Sequence, residues 1–308
     1  MNKSCEALLQ YFPSLSKVED FHFTYIANCV FNSVLSYTAI MLNIVAIHAI
    51  RRTSSLRKTL KTLLLSLAVS DVGVGLLVQP FYASLLVEWL QNSASCASYV
   101  AFYIIQCLFS RASFSNVIAV SVDRFLAIHL HLRYQELVTH KRVVAAVISI
   151  WVISVFLPSI LLWYPSEDTC LILCIFGVVG LLLTTAAYRK IYLTVRHHRS
   201  QIRLLQVQQV AENEEMSNFA SRIKYAVGVF YVYLVFLFCF VPHLVCMIAF
   251  QIFGPSMGLK RFYLFSMTLV FLNSSLNPVI YCWKMRPIRS AVMGMLRNMT
   301  WFRNRASR

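Results

Sequence analysis

Two ionisable side chains, Asp71 and Arg111, lie deep inside long apolar runs, and the pair Asp123-Arg124 sits where such a run ends. A charge at the centre of a membrane helix costs about 2.5–3.5 kcal/mol on insertion scales, so each marks a function by default. Polar neighbours recur in the same runs: Asn43 in the first, Ser113 and Asn116 in the third, and Asn273, Ser274, Ser275 and Asn277 in the seventh. One carboxylate among hydroxyl and amide oxygens in a dry bundle is the chemistry of a small hard cation, which takes oxygen ligands. The same groups also serve as interhelical hydrogen-bond glue, at about 0.6 kcal/mol per bond, and composition leaves both readings standing. Arg111 either draws an anionic group or bonds backbone carbonyls of a neighbouring helix. The histidines are scattered, and no two have the i, i+4 spacing of a helical zinc site.

The elements that must position these groups follow from composition. Of 308 residues, 58% are hydrophobic and 13% charged, against about 45–50% and 25% in soluble domains. A disordered chain, a collagen, a disulfide-stapled mini-protein and an ordinary cytosolic enzyme are all excluded. Seven runs reach the roughly 20 apolar residues that a membrane helix needs. They lie near Phe21–Ile50, Thr62–Val87, Tyr99–Ile128, Val143–Trp163, Leu171–Val195, Ile223–Phe253 and Phe262–Trp283. A transmembrane barrel would show short alternating segments instead. The expected fold is an all-α seven-helix transmembrane bundle (residues 21–283). Residues 1–20 form a polar N-terminal segment, and residues 284–308 form a short amphipathic helix and tail. In that tail Met285, Ile288, Val292, Met295, Leu296 and Met299 recur at helical spacing beside Arg286, Arg289 and Arg297, the pattern of a helix lying among headgroups. The first run reads as an uncleaved signal-anchor, because Met1 to Asp20 is polar and mixed.

Lys and Arg fix the expected orientation. Twenty-three of the 28 sit in the first, third and fifth gaps, at the end of span three and in the tail. Those parts therefore face the cytoplasm and the N-terminus lies outside. The net charge of +16 is then a topology signal and a lipid-facing rim, at about 1 kcal/mol per basic residue near anionic lipid. No nucleic-acid partner is needed to explain it. The polar stretch Arg196–Asn218 reads as a cytoplasmic loop.

Seven motifs, each in its proper span, carry a resemblance. They are Asn43 in Leu42-Asn43-Ile44-Val45; Leu67-Ala68-Val69-Ser70-Asp71 followed by Pro80; and Asp123-Arg124-Phe125. The others are Trp151 with Pro158, Tyr188 ending span five, Phe236-Leu237-Phe238-Cys239-Phe240-Val241-Pro242, and Asn273-Ser274-Ser275-Leu276-Asn277-Pro278-Val279-Ile280-Tyr281. Along essentially its whole length the chain resembles the rhodopsin-like (class A) G-protein-coupled receptors. The short loop between spans four and five, and Gly180 in place of the family's proline, look similar to the melanocortin, cannabinoid, lysophospholipid and adenosine receptor cluster.

The resemblance implies roles. Asp71, Ser113, Asn273, Ser274 and Asn277 match the family's Na⁺ pocket, a cation that favours the inactive state; no other cofactor is implied. Asp123 and Arg124 match the switch that opens to a heterotrimeric G protein. Tyr188 and Tyr281 support the released Arg, Phe236 and Phe240 form the packing toggle, and Pro242 and Pro278 are the hinges. Leu132 matches an apolar G-protein contact, and arrestin is a further partner. Where relatives carry a Glu at the base of span six, this chain has Arg222, which implies raised basal signalling.

The outer half of the bundle offers Phe81, Tyr82, Gln106, Cys107, Ser110, Phe240, His243, Met247, Tyr263, Met267 and Phe271, the make-up of a pocket for an extracellular small molecule, lipid or peptide. Helix packing explains the same residues equally well. Gln106 stands where aminergic relatives have Asp, and Phe271 where opsins have the retinal Lys, so amine receptors are disfavoured and opsins excluded. The family's disulfide maps best to Cys96–Cys170, with Cys174 the rival acceptor; Asn2-Lys3-Ser4 is a glycosylation sequon. A transporter would want ionisable groups along a path, and a decoy receptor would lack an intact Asp123-Arg124. The expectation is a non-enzymatic plasma-membrane receptor.

Overall fold

The computed structural model describes residues 11–12, 19–130, 133–163, 175, 177–193, 196 and 213–306. Among these every regular element is helical. We label the spans α1 (His22–Arg52), α2 (Lys58–Leu90), α3 (Cys96–His129), α4 (His140–Trp163), α5 (177–193), α6 (Asn213–Phe253) and α7 (Met257–Lys284), followed by α8 (Arg286–Ala306). Six of them are long and apolar enough to cross a membrane, and α5 is the described part of the fifth predicted run. A single helical turn, Tyr134–Leu137, joins α3 to α4.

The helix ends follow from local chemistry. Ser95 caps α3 by accepting a hydrogen bond from the Ser98 N–H at 3.1 Å, and Ser256 caps α7 by accepting one from Leu259 at 3.2 Å. Gly254 ends α6 in the left-handed region, at φ 72°, where a Cβ would be strained. Lys61 crosses the first loop and donates to the Arg51 carbonyl at 2.6 Å, holding the end of α1. Pro80 cannot donate a backbone hydrogen bond. One turn before it, Val74–Val78 widens into a π turn in which the Gln79 N–H reaches the Val74 carbonyl. The neighbouring Gly75 carbonyl accepts from Ser36 of α1 at 2.7 Å.

Helix α3 runs through the middle, against α2, α4 and α6, while α7 packs on α6 and α1 and closes the ring. Small residues set the spacing. A Cβ at Gly180 of α5 would sit 3.0 Å from Ile118 and Phe114 of α3. At Gly73 of α2 the ring of Phe109 lies so close that a Cβ would be 2.0 Å from it. Gly73→Ala is therefore expected to destabilise the protein by about 1–3 kcal/mol through overpacking. Phe109→Leu should recover part of that loss in a double-mutant thermal-melt cycle, and additive losses would show that the two sites are uncoupled.

The bundle has two buried clusters. One lies toward the end carrying Arg124 (the basic end) and includes Tyr188, Phe236 and Tyr281; the other lies toward the opposite end around Tyr82, Tyr263 and Phe271. Met285 and Ile288 are buried in the first cluster, so the start of α8 docks onto the bundle, whereas Met293 and Leu296 stay exposed.

Candidate functional site

Three groupings of predicted residues meet along the bundle axis. In the middle, Asp71 is fully buried on α2. Its Oδ1 accepts from Ser113 of α3 at 3.2 Å, and its Oδ2 accepts from the Asn277 amide of α7 at 2.8 Å. Ser274 contributes a further interaction with the same carboxylate. The close approach at Gly73 brings α3 near enough for Ser113 to reach. Asn43 of α1 donates to the Ser274 carbonyl at 2.8 Å, and so fixes the turn of α7 that faces the acid. The side-chain oxygens of Asn273 and Asn277, and of Asn116 one turn along α3 from Ser113, are buried without a hydrogen-bond donor. A buried carboxylate met by a hydroxyl and an amide, with the donorless oxygen of Asn277 on the same side chain, is a donor set that would suit a hard cation.

At the basic end, Asp123 and Arg124 are both buried and ion-paired. Arg124 Nε donates to Asp123 Oδ2 at 3.0 Å, and a terminal guanidinium nitrogen shares that oxygen. Oδ1 accepts from the hydroxyl of Tyr134 at 2.6 Å, and Thr59 of α2 lies 3.2 Å from the same hydroxyl. Burial, and then the Asp123 charge, raise the Tyr134 phenol above its ordinary value, so it remains a donor. Tyr134 is absent from the sequence-based site. A tyrosine ten residues beyond Arg124 in a short basic loop is the only signal it leaves, and its role depends on how that loop folds back. Beside it a cavity of about 420 Å³ opens between Arg57, Lys58, Tyr134 and His140.

Among the described residues, neither tyrosine predicted to support a released Arg124 hydrogen-bonds to it, although Tyr188 lies within reach of its charge. Tyr188 pairs with Ser121 at 3.1 Å and stacks on Tyr233 at 5.0 Å. The Tyr281 hydroxyl is buried without a hydrogen-bond partner. Between the two ends, Phe240 and Phe236 stack with centroids 4.1 Å apart, and Phe114 of α3 lies 5.3 Å from Phe236. Pro242 and Pro278 lie inside α6 and α7.

At the opposite end, Tyr263, Met267 and Phe271 are buried in one aromatic cluster, with Phe240 and Met247 packed against it. His243 joins through the ring of Tyr263, 5.5 Å away, and its Nδ1 pairs with Ser266 at 3.0 Å. Gln106, Cys107 and Ser110 lie on α3. The Gln106 side-chain oxygen accepts from the Cys107 thiol at 3.4 Å, and the Ser110 hydroxyl is buried without a partner. Phe81 is turned outward and exposed, while Tyr82 is buried and donates to the Leu264 carbonyl at 3.2 Å. Adjacent helix residues point about 100° apart, so only one of the two can line the interior. Arg111 carries a buried Nε without a partner. Cys96 is disulfide-bonded. Its expected partners Cys170 and Cys174, and the predicted contact Leu132, lie outside the described residues, as does the side chain of Arg222.

Comparison with known proteins agrees with this geometry. Squid rhodopsin superposes with a TM-score of 0.76 over 89% of this chain and 86% of its own, at 17% identity, so the fold is shared. Among curated proteins, adenosine receptor A2b of Gallus gallus is 26% identical, covering 84% of this chain and 85% of the relative. Histamine H2 receptor of Canis lupus familiaris is 27% identical, covering 86% and 78%. The family description "7 transmembrane receptor (rhodopsin family)" matches residues 42–170 and 163–281. With its buried ion pair, buried acid and two aromatic clusters arranged along one helical bundle, the chain belongs to the rhodopsin family of seven-transmembrane receptors.

Proposed function

We propose that the chain is a plasma-membrane receptor with its N-terminus outside. It takes a ligand from that side and activates a heterotrimeric G protein at its basic end. The carrying observation is Arg124, 3% exposed and held by Asp123, whose second oxygen is occupied by Tyr134. A buried guanidinium at the rim, restrained by a carboxylate, is a group ready to be released toward a partner. The surplus of Lys and Arg at this end supports its cytoplasmic placement. Leu132 and the tail would join the contact with G protein, and arrestin would share the opened cavity.

The site residues then act in sequence. A ligand seated against Met267, Phe271 and His243 shifts Phe240 off Phe236, α6 swings at Pro242, and Arg124 leaves Asp123. Asp71, Ser113, Asn273, Ser274 and Asn277 would hold Na⁺ in the resting arrangement, where the ion supplies the positive charge that this buried carboxylate otherwise lacks. A ligand or ion shifts such an equilibrium only by its differential affinity for the two arrangements.

Gln106 offers a neutral hydrogen-bonding group where an ammonium would want a carboxylate. On this ground uncharged ligands are favoured over amines; the named relatives include both adenosine receptors and histamine H2 receptors. Two cations, Arg124 and Arg222, at the bases of α3 and α6 favour opening. Arg222→Glu is expected to lower basal GTP loading by about two- to fivefold, the scale of one rim ion pair; an unchanged basal rate counts against that reading. The assignment as a whole is tested by reconstituting the purified protein with each G-protein class and screening a broad library for stimulated GTP loading. Silence from every class, basal and stimulated, would sink it.

A further inference from the structure

Tyr11 and Phe12 precede the first span in a polar stretch, yet they are only 7% and 1% exposed. Phe12 stacks on Trp89 at 5.4 Å and meets Tyr99 edge-on at 4.9 Å. Tyr11 stacks on Tyr263 at 5.4 Å and meets Phe250 edge-on at 5.0 Å. Helices α2, α3, α6 and α7 thus each lend a ring. Lys260 completes the arrangement by donating from Nζ to the Phe12 carbonyl at 2.6 Å. Two rings inserted between four helices, with a backbone carbonyl captured by an ammonium, are held as a bound peptide is held: by aromatic anchors and one polar fix.

We propose that Trp89, Tyr99, Phe250, Tyr263 and Lys260 form a binding box for an aromatic dipeptide unit, and that the chain's own Tyr11-Phe12 is its resident occupant. A freely diffusing partner for this box carries two aromatic rings and a carbonyl acceptor. It must displace a tethered segment whose local concentration is on the order of millimolar. The occupied box reaches α6 beside its interior proline through one contact chain. Tyr263 touches Tyr11, Phe12 and His243, and His243 follows the hinge residue Pro242 in α6. With the segment seated, Arg124 is paired to Asp123. The resident segment therefore holds the resting arrangement, and its displacement frees α6 to move.

The inference rests on the ligand approaching from this end, as proposed above, but its test uses no G protein. Cys246 is a fully buried free thiol in the same aromatic cluster, one turn from Phe250. In the full-length protein in lipid vesicles, its rate of labelling by a membrane-impermeant maleimide reports opening of the box. The native chain is expected to label slowly. Phe12→Ala should speed labelling about tenfold or more, because a lost buried ring removes stacking and packing together. Lys260→Gln leaves every ring in place and should speed it as well, which keeps the test open if Phe12→Ala fails to fold. Millimolar N-acetyl-Tyr-Phe-amide should slow labelling of the Phe12→Ala protein. Native-like rates in the folded variants overturn the resident occupant, and no protection by the dipeptide overturns the ligand class.

Discussion

Asp123→Asn is expected to raise basal G-protein nucleotide exchange by about tenfold or more, and to lower the melting temperature of the unliganded protein. Both oxygens of Asp123 are engaged, one by Arg124 and the other by Tyr134 at 2.6 Å. Removing one partner of a buried pair costs about 3–5 kcal/mol, chiefly because the other charge is left uncompensated. Part of that cost appears as lost stability. The rest is relieved in any arrangement where Arg124 finds other partners, and about 1.4 kcal/mol of differential stability already changes the population ratio tenfold. Tyr134→Phe keeps the ion pair and deletes one hydrogen bond to a charged oxygen, worth about 1.5–3 kcal/mol. It should fall between the native protein and Asp123→Asn in basal GTP loading. Thermal melts run alongside separate the two roles: a melting temperature that drops while basal loading stays at the native level would make the pair a static end-cap of α3.

What the sequence discloses and what it withholds divide along a physical line. Helix identity was legible because each span must be apolar for its whole length, a local property. Helix ends were less so, since α6 begins at Asn213 and α2 at Lys58, well outside the apolar runs; backbone hydrogen bonding continues into water once a helix has started. Asp71, Ser113 and Asn277 could be picked out because a polar group inside hydrocarbon demands a reason, and the structure brings those three together. Tyr134 and Tyr11-Phe12 were not legible. Each is an aromatic residue in a polar loop or terminal stretch, where nothing periodic fixes its partner, and only the fold of the whole bundle carries it inward. Of Phe81 and Tyr82, both read as pocket candidates, only Tyr82 is buried: the two are adjacent on one helix, and the π turn before Pro80 shifts the phase by which their faces would be counted.

Asp71→Asn is expected to abolish a sodium-dependent rise in stability. The carboxylate is fully buried, and the partners that meet it are neutral, Ser113 at 3.2 Å and the Asn277 amide at 2.8 Å. Neutral donors offset only part of the several kcal/mol that an enclosed ion loses on leaving water. The donorless oxygens of Asn273 and Asn277 add to the negative potential and cannot relieve it. Such a site gains from a small cation and from loss of its own charge, which sets two melting measurements against each other. In choline chloride the Asn variant should melt at or above the native protein, since it keeps the shape and sheds the charge. In sodium chloride at a hundred times the dissociation constant, the native protein should gain about 2.7 kcal/mol. That corresponds to about 4 °C in melting temperature for a chain of this size. The variant should gain nothing, and Ser113→Ala, which keeps the charge but loses one oxygen, should gain less than the native protein. Hydrogen-bond glue makes the opposite forecast: the Asn variant melts lower in both salts, and the native protein does not distinguish sodium from choline.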